Sequence, residues 1–135
     1  MVYLTASFER YYAEVVRTFI AGSSGFSEVN DEKVNGLFQQ IMAAIKPGKS
    51  ISQFYKETMD AIRREEAKYI PDYGLGNGIG LSLQEIPFFD EKDTSRFSKG
   101  MCFVLRLALH DREGGAMMIG NTICLSESGA EILTI

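Results

Sequence analysis

Two long apolar runs joined by a short polar loop constrain this chain more than any other feature of its sequence. Residues 101–109 and 116–125 contain neither Asp nor Glu, and His110-Asp111-Arg112-Glu113-Gly114-Gly115 lies between them. Long, mostly apolar runs bounded by glycine and charge read as neighbouring strands of a sheet with a packed face. Dinuclear hydrolytic centres need several oxygen and nitrogen donors converging from different strands. Their absence from the two longest runs argues against such a centre.

Upstream, Val2-Tyr3-Leu4-Thr5-Ala6-Ser7-Phe8 and residues 11–20 are rich in β-branched and aromatic types and predict a hairpin turning at Glu9-Arg10. Ala21-Gly22-Ser23-Ser24-Gly25 predicts a loop. A helix is expected next, with Asn30 as N-cap, Asp31 and Glu32 at the positive end of its dipole, and Val34, Leu37, Phe38, Ile41 and Ile45 on one face. Pro47-Gly48 ends it. Ser50 followed by Gln53 is a capping-box pattern opening a second helix, whose apolar stripe is Ile51, Phe54, Tyr55, Thr58 and Ile62. Lys56, Asp60, Arg63 and Arg64 form its solvated face. A hairpin, two helices and then strands describe an α+β fold, a single domain over residues 1–135.

Other constellations are weak. The run Gly74-x-Gly76-x-Gly78-x-Gly80 lacks the following helix and Lys-Ser/Thr of a phosphate loop, and predicts close backbone packing with positive φ values before a strand. His110, the one histidine, is expected to face solvent from the hairpin loop; alone it supplies neither a zinc cluster nor most triads. Cys102 and Cys124 lack metal or disulfide-framework spacing and are expected as buried, reduced thiols. A net charge of -4 gives no basic footprint, so direct nucleic-acid binding is not expected. No leader pattern and no run of membrane-spanning length is present, which predicts an intracellular protein with no membrane partner.

Four segments in register resemble the C-terminal part of the pita-bread metallopeptidases, the fold of methionine aminopeptidase, aminopeptidase P and creatinase. They are Tyr11-Tyr12-Ala13-Glu14-Val15-Val16-Arg17-Thr18-Phe19, Ile45-Lys46-Pro47-Gly48, the stretch from Gly76-Asn77-Gly78-Ile79-Gly80 through Gln84-Glu85-Ile86-Pro87, and Gly100-Met101-Cys102-Phe103 with Ile119-Gly120-Asn121-Thr122 and Gly129-Ala130-Glu131-Ile132-Leu133-Thr134. The resemblance implies a curved antiparallel sheet with helices on its convex face, present here in part. It also implies a lost metal site. Tyr3 or a neighbour falls where the first metal aspartate belongs, and Glu14 takes the place of the second. Asn77 replaces the metal histidine, Arg106 the first glutamate and Gly120 the last. Gln84 replaces the substrate histidine, while Glu85 and Pro87 are kept.

The pattern Ala6-Ser7-Phe8-Glu9-Arg10-Tyr11-Tyr12 with Arg17-Thr18, the histidine-free Leu75-Gly76-Asn77-Gly78-Ile79-Gly80, and Ala116-Met117-Met118-Ile119-Gly120-Asn121-Thr122 resemble more particularly the N-terminal peptidase-like domain of the large subunit of FACT histone chaperones. That resemblance implies a non-catalytic domain without metal or cofactor and a nuclear, chromatin-associated setting in transcription, replication and repair. It implies core-histone heterodimers as partners, and the other FACT subunit through segments outside these residues. Glu14, Asn77, Gln84 and Arg106 are the expected lining of a vestigial cleft able to take an extended peptide. The chain is expected to be a fragment or a reduced homologue; were the missing half absent from the molecule, the inner sheet face would be partly uncovered. The alternative is an independently decayed aminopeptidase P or methionine aminopeptidase relative acting as a structural or peptide-binding module.

Overall fold

The computed structural model describes residues 1–19, 28–65, 68–69, 71–110 and 116–134. The expected hairpin forms from β1 (Val2–Phe8) and β2 (Tyr11–Arg17), paired antiparallel with Phe8 opposite Tyr11. Glu9 and Arg10 both take positive φ, the twist that a two-residue hairpin turn requires, without the usual Asn-Gly. Helices α1 (Glu28–Ala43) and α2 (Ile51–Arg64) follow. Asn30 lies inside α1 rather than at its cap, because the helix already begins at Glu28. The expected loop at 21–25 lies outside the described residues. Ser50 does cap α2, its hydroxyl accepting from the Gln53 amide at 3.4 Å, but the Gln53 side chain turns to Glu57 at 2.9 Å.

The remaining strands are β3 (Lys68–Tyr69), β4 (Gly76–Gly78), β5 (Glu85–Phe88), β6 (Cys102–His110), β7 (Ala116–Leu125) and β8 (Ala130–Ile132). The strand path is β1-β2-β7-β6-β4-β5, with β3 added to β6 and β8 to β7, and every recorded pairing is antiparallel. The two apolar runs are thus central neighbours, in register from Cys102 opposite Cys124 to His110 opposite Ala116.

Alternation along β6 and β7 sorts their side chains between two faces. Phe103, Leu105, Leu107 and Leu109 turn to the helices, joined by Ile123 and Leu125, and all belong to the main buried cluster. Helix α1 contributes Val34, Leu37, Phe38 and Ile41 to it; α2 contributes Ile51, Phe54, Ala61 and Ile62. At its centre Phe54 meets Phe97 and Phe89 edge-on, with ring centroids 5.3 and 5.9 Å apart, and Phe103 closes the group 5.4 Å from Phe89. Such contacts add roughly 0.5–1.5 kcal/mol per pair to the area they bury. Lys56, Asp60, Arg63 and Arg64 are exposed, as the helical stripe requires.

The glycine run is itself a strand. Gly76, Asn77 and Gly78 are buried between β6 and β5, and in the run only Gly74 has positive φ. Gly76 is required by proximity rather than by φ: a Cβ there would overlap the Val104 carbonyl oxygen and lie 2.5 Å from the Phe89 ring. His110 is the last residue of β6, paired with Ala116 and Lys68 and half-buried, rather than a solvent-facing loop residue. The added strand β3, which no sequence signal announced, covers it.

Every residue of β1 is exposed, and Tyr3, Leu4, Phe8 and Tyr11 are large apolar side chains left open to solvent.

Candidate functional site

The face of the sheet away from the helices collects the polar residues. Glu14 on β2, Asn77 on β4 and Arg106 on β6 are 1%, 2% and 4% exposed, among the few buried polar side chains. Arg106 donates through Nε to Glu14 Oε1 at 2.5 Å and through Nη2 to Glu14 Oε2 at 2.7 Å. This is the bidentate geometry that suits a guanidinium to a carboxylate. Its Nη1 donates to Asn77 Oδ1 at 2.8 Å, while Asn77 Nδ2 donates to the carbonyls of Gly78 at 2.7 Å and Leu83 at 3.0 Å. The Tyr3 hydroxyl donates to Glu14 Oε2. Three strands that are not all sequential neighbours are thereby tied through one guanidinium.

Local structure fixes each participant. Thr122 Oγ1 accepts from the Glu14 amide at 2.8 Å and donates to the Glu14 carbonyl at 2.9 Å, pinning the backbone where β2 meets β7. Curvature brings the Tyr12 amide within 2.8 Å of the Gly80 carbonyl, although β7 and β6 separate β2 from β4 in the sheet. Glu85 accepts from the Ser82 amide at 2.7 Å and holds the 80–85 turn. Gly120, opposite Arg106 in the ladder, makes room for Val16 rather than for the arginine: a Cβ there would sit 3.0 Å from Val16 Cγ2 but in ordinary contact, 3.5 Å, with Arg106 Cγ.

Electrostatics follow from burial and pairing. Burial works against the Arg106 cation, but the Glu14 carboxylate outweighs it and holds the guanidinium above its ordinary value. Tyr3 is pushed up first by burial and then by its bond to Glu14, so the phenol stays protonated as a donor. Among the described residues no buried side-chain polar atom lacks a partner.

A dinuclear metal centre does not fit these residues. Both Glu14 oxygens and the Asn77 oxygen are taken by Arg106, and at 4 Å a cation opposes each further unit of positive charge by roughly 4 kcal/mol at an effective dielectric of about 20. Among the described residues no three His, Cys, Asp or Glu side chains gather to hold a metal.

Of the expected cleft residues, Glu14, Asn77 and Arg106 are brought together, whereas Gln84 is exposed and stands outside their network. Two features had not been anticipated. Thr122 completes the network from β7, joining Tyr3, which the resemblance had placed at or beside the first metal aspartate. Cys102 and Cys124, expected as buried, reduced thiols, are half-buried and directly opposite each other. The signal for this was available in the two runs: pairs equidistant from residue 113 face each other once the runs are read as antiparallel neighbours.

The sequence profile of metallopeptidase family M24 matches residues 1–127. FACT complex subunit SPT16 of Zea mays is 25% identical over 141 residues, an alignment covering 96% of this chain and 13% of that protein. The solved prolidase from Pyrococcus furiosus is similar with a TM-score of 0.83 at 26% identity, covering 98% of this chain and 40% of its own. The N-terminal domain of FACT complex subunit SPT16 from Eremothecium gossypii gives 0.80 at 20% identity, over 94% of this chain and 31% of that one. The chain therefore spans less than half the length of each of these relatives. The fold is the pita-bread α+β arrangement, and the resemblance to the FACT large-subunit domain stands beside that to the peptidases.

Proposed function

The chain belongs to metallopeptidase family M24, and from that premise we propose that it is a non-catalytic member serving as the peptidase-like domain of a FACT-type histone chaperone. The observation carrying this reading is the Arg106–Glu14–Asn77 network. A buried guanidinium stands among the family's metal positions and engages the remaining carboxylate through both oxygens. Similarity to the maize SPT16 protein supports the chaperone context. In this reading the domain binds core histones or another protein segment during transcription, replication, repair and nucleosome reorganisation, in the nucleus. The second FACT subunit is engaged through other parts of the protein.

Glu14, Asn77 and Arg106 then form the floor of the former cleft, and Gln84 is the member an extended peptide reaches first. The exposed edge strand β1 is a second place where such a segment gains main-chain hydrogen bonds. Similarity to the P. furiosus prolidase favours a rival, a decayed peptidase relative used as a structural or peptide-binding module.

Calorimetric titration of the protein with Mn²⁺, Co²⁺ and Zn²⁺, beside binding of each core-histone heterodimer at two salt concentrations, tests both. The expected result is no stoichiometric metal uptake, no residue released from a test peptide, and histone binding that weakens with salt. Uptake of two metals with peptide cleavage overturns the non-catalytic reading. Absence of histone binding at both salt concentrations removes the chaperone assignment in favour of the structural module.

A further inference from the structure

We propose that Cys102 and Cys124 form one dithiol site that closes reversibly to a disulfide by exchange with low-molecular-weight disulfides of the oxidised-glutathione type. The two residues are direct register partners across the central β6–β7 ladder, and both are free and partly accessible. Their place in the ladder can be read from neighbouring hydrogen bonds. The Arg106 amide donates away from β7, to the Leu75 carbonyl at 2.7 Å. The Cys102 carbonyl likewise accepts from the Ile79 amide at 3.2 Å, on the side away from β7. Even-numbered residues of β6 thus direct their backbone groups away from β7, and Cys102 and Cys124 form a non-hydrogen-bonded pair. In such pairs the Cα atoms approach to about 4.5 Å and the side chains come closest. A disulfide spans Cα separations of about 4.4–6.8 Å, so closure demands little backbone movement.

The surroundings set how the site reacts. Burial, and then a side-chain hydrogen bond in which the Cys102 thiol donates to Cys124, push the Cys102 thiol up, while Glu131 on β8 is the ladder partner of Cys124. Cys102 thus resists ionisation and is slow toward the first attack, while the second step is fast because the resolving sulfur is already adjacent. In the first step one cysteine loses its proton and its thiolate attacks the small disulfide; a protein mixed disulfide forms and one small thiolate leaves. The other cysteine then loses its proton, attacks the protein-bound sulfur and expels the second small thiolate. Two protons and two electrons leave the protein, and the small disulfide is reduced to two thiols. Closure would fasten β6 to β7 on the face that carries the Glu14–Arg106 network, two residues from the Thr122 clamp on the Glu14 backbone.

The test uses the reduced full chain equilibrated in buffers of rising oxidised-to-reduced glutathione ratio, quenched in acid, alkylated and weighed intact. The expected product has both thiols lost together, the mass of an internal disulfide and no retained glutathione. C102S and C124S each retain one glutathione instead. Unfolding the wild-type chain in urea is expected to lower the closing constant by about tenfold or more, since the fold supplies the proximity. Accumulation of glutathione adducts on the folded wild type, thiols still alkylatable in the most oxidising buffer, or a closing constant unchanged by urea would each overturn the proposal.

Discussion

Replacing one member of the Arg106–Glu14 pair should damage the protein far more than replacing both. The side chains of Arg106 and Glu14 are 5% and 0% exposed, so neither charge reaches water if its partner goes. Glu14→Leu leaves a buried guanidinium with Asn77 as its remaining acceptor in the network, and Arg106→Met leaves a buried carboxylate with the Tyr3 hydroxyl. Each single change is expected to cost about 3–5 kcal/mol, the range for breaking a buried pair. In the double variant no charge is stranded, and the main residual cost is the Asn77 oxygen deprived of its donor, about 1–3 kcal/mol. The sum of the single effects should therefore exceed the double effect by several kcal/mol. The chain contains no tryptophan, so urea unfolding is followed by far-ultraviolet circular dichroism. Single costs below about 1 kcal/mol, the range of exposed pairs, or an additive double variant would refute the assignment of this pair as a buried strut.

Three further outcomes are expected. Gly76→Ala should destabilise by about 1–3 kcal/mol in the same assay, because its Cβ meets the Val104 carbonyl and the Phe89 ring in a packed strand. Phe54→Ala, at the centre of the ring cluster, should cost about 3–5 kcal/mol and loosen the attachment of α2, seen as faster amide exchange in that helix. Tyr69 is pushed up to about 12 by burial. The folded state therefore holds the phenolic proton more tightly, giving stability that is complete below about pH 10 and lost as pH rises toward the folded value. Relative to Tyr69→Phe, the wild type should lose about 0.5 kcal/mol between pH 9 and 11, solvent screening of the part-exposed ring reducing the full effect; equal losses in the two proteins would contradict that burial.

Much of the architecture was legible because its determinants are local. The hairpin over β1 and β2, the apolar stripe of α2 with its Ser50 cap, and the pairing of 101–109 with 116–125 follow from alternation, periodicity and turn chemistry. Less legible were β3 and β8, two and three pairings long, whose residues are strands only because an edge of β6 or β7 accepts them. The same holds for Gly76–Gly78, where glycine disfavours strand structure until β6 and β5 close on both sides. His110 was misplaced for that reason: β3 turns a loop margin into a half-buried strand end.

The sequence by itself determined the fold class and which chemical groups are present: one carboxylate, an amide and a guanidinium at the positions of a resembled metal site. Their identity is written residue by residue, and no packing can change it. Only the tertiary structure decided what those groups do to one another. The bidentate contact between Glu14 and Arg106 spans 92 positions of chain, and the opposition of Cys102 to Cys124 depends on a register set by the whole ladder. Distances of this kind arise from curvature and register, which are properties of the assembled sheet. The guanidinium of Arg106 is held by its own protein because the sheet curls Glu14 and Asn77 around it.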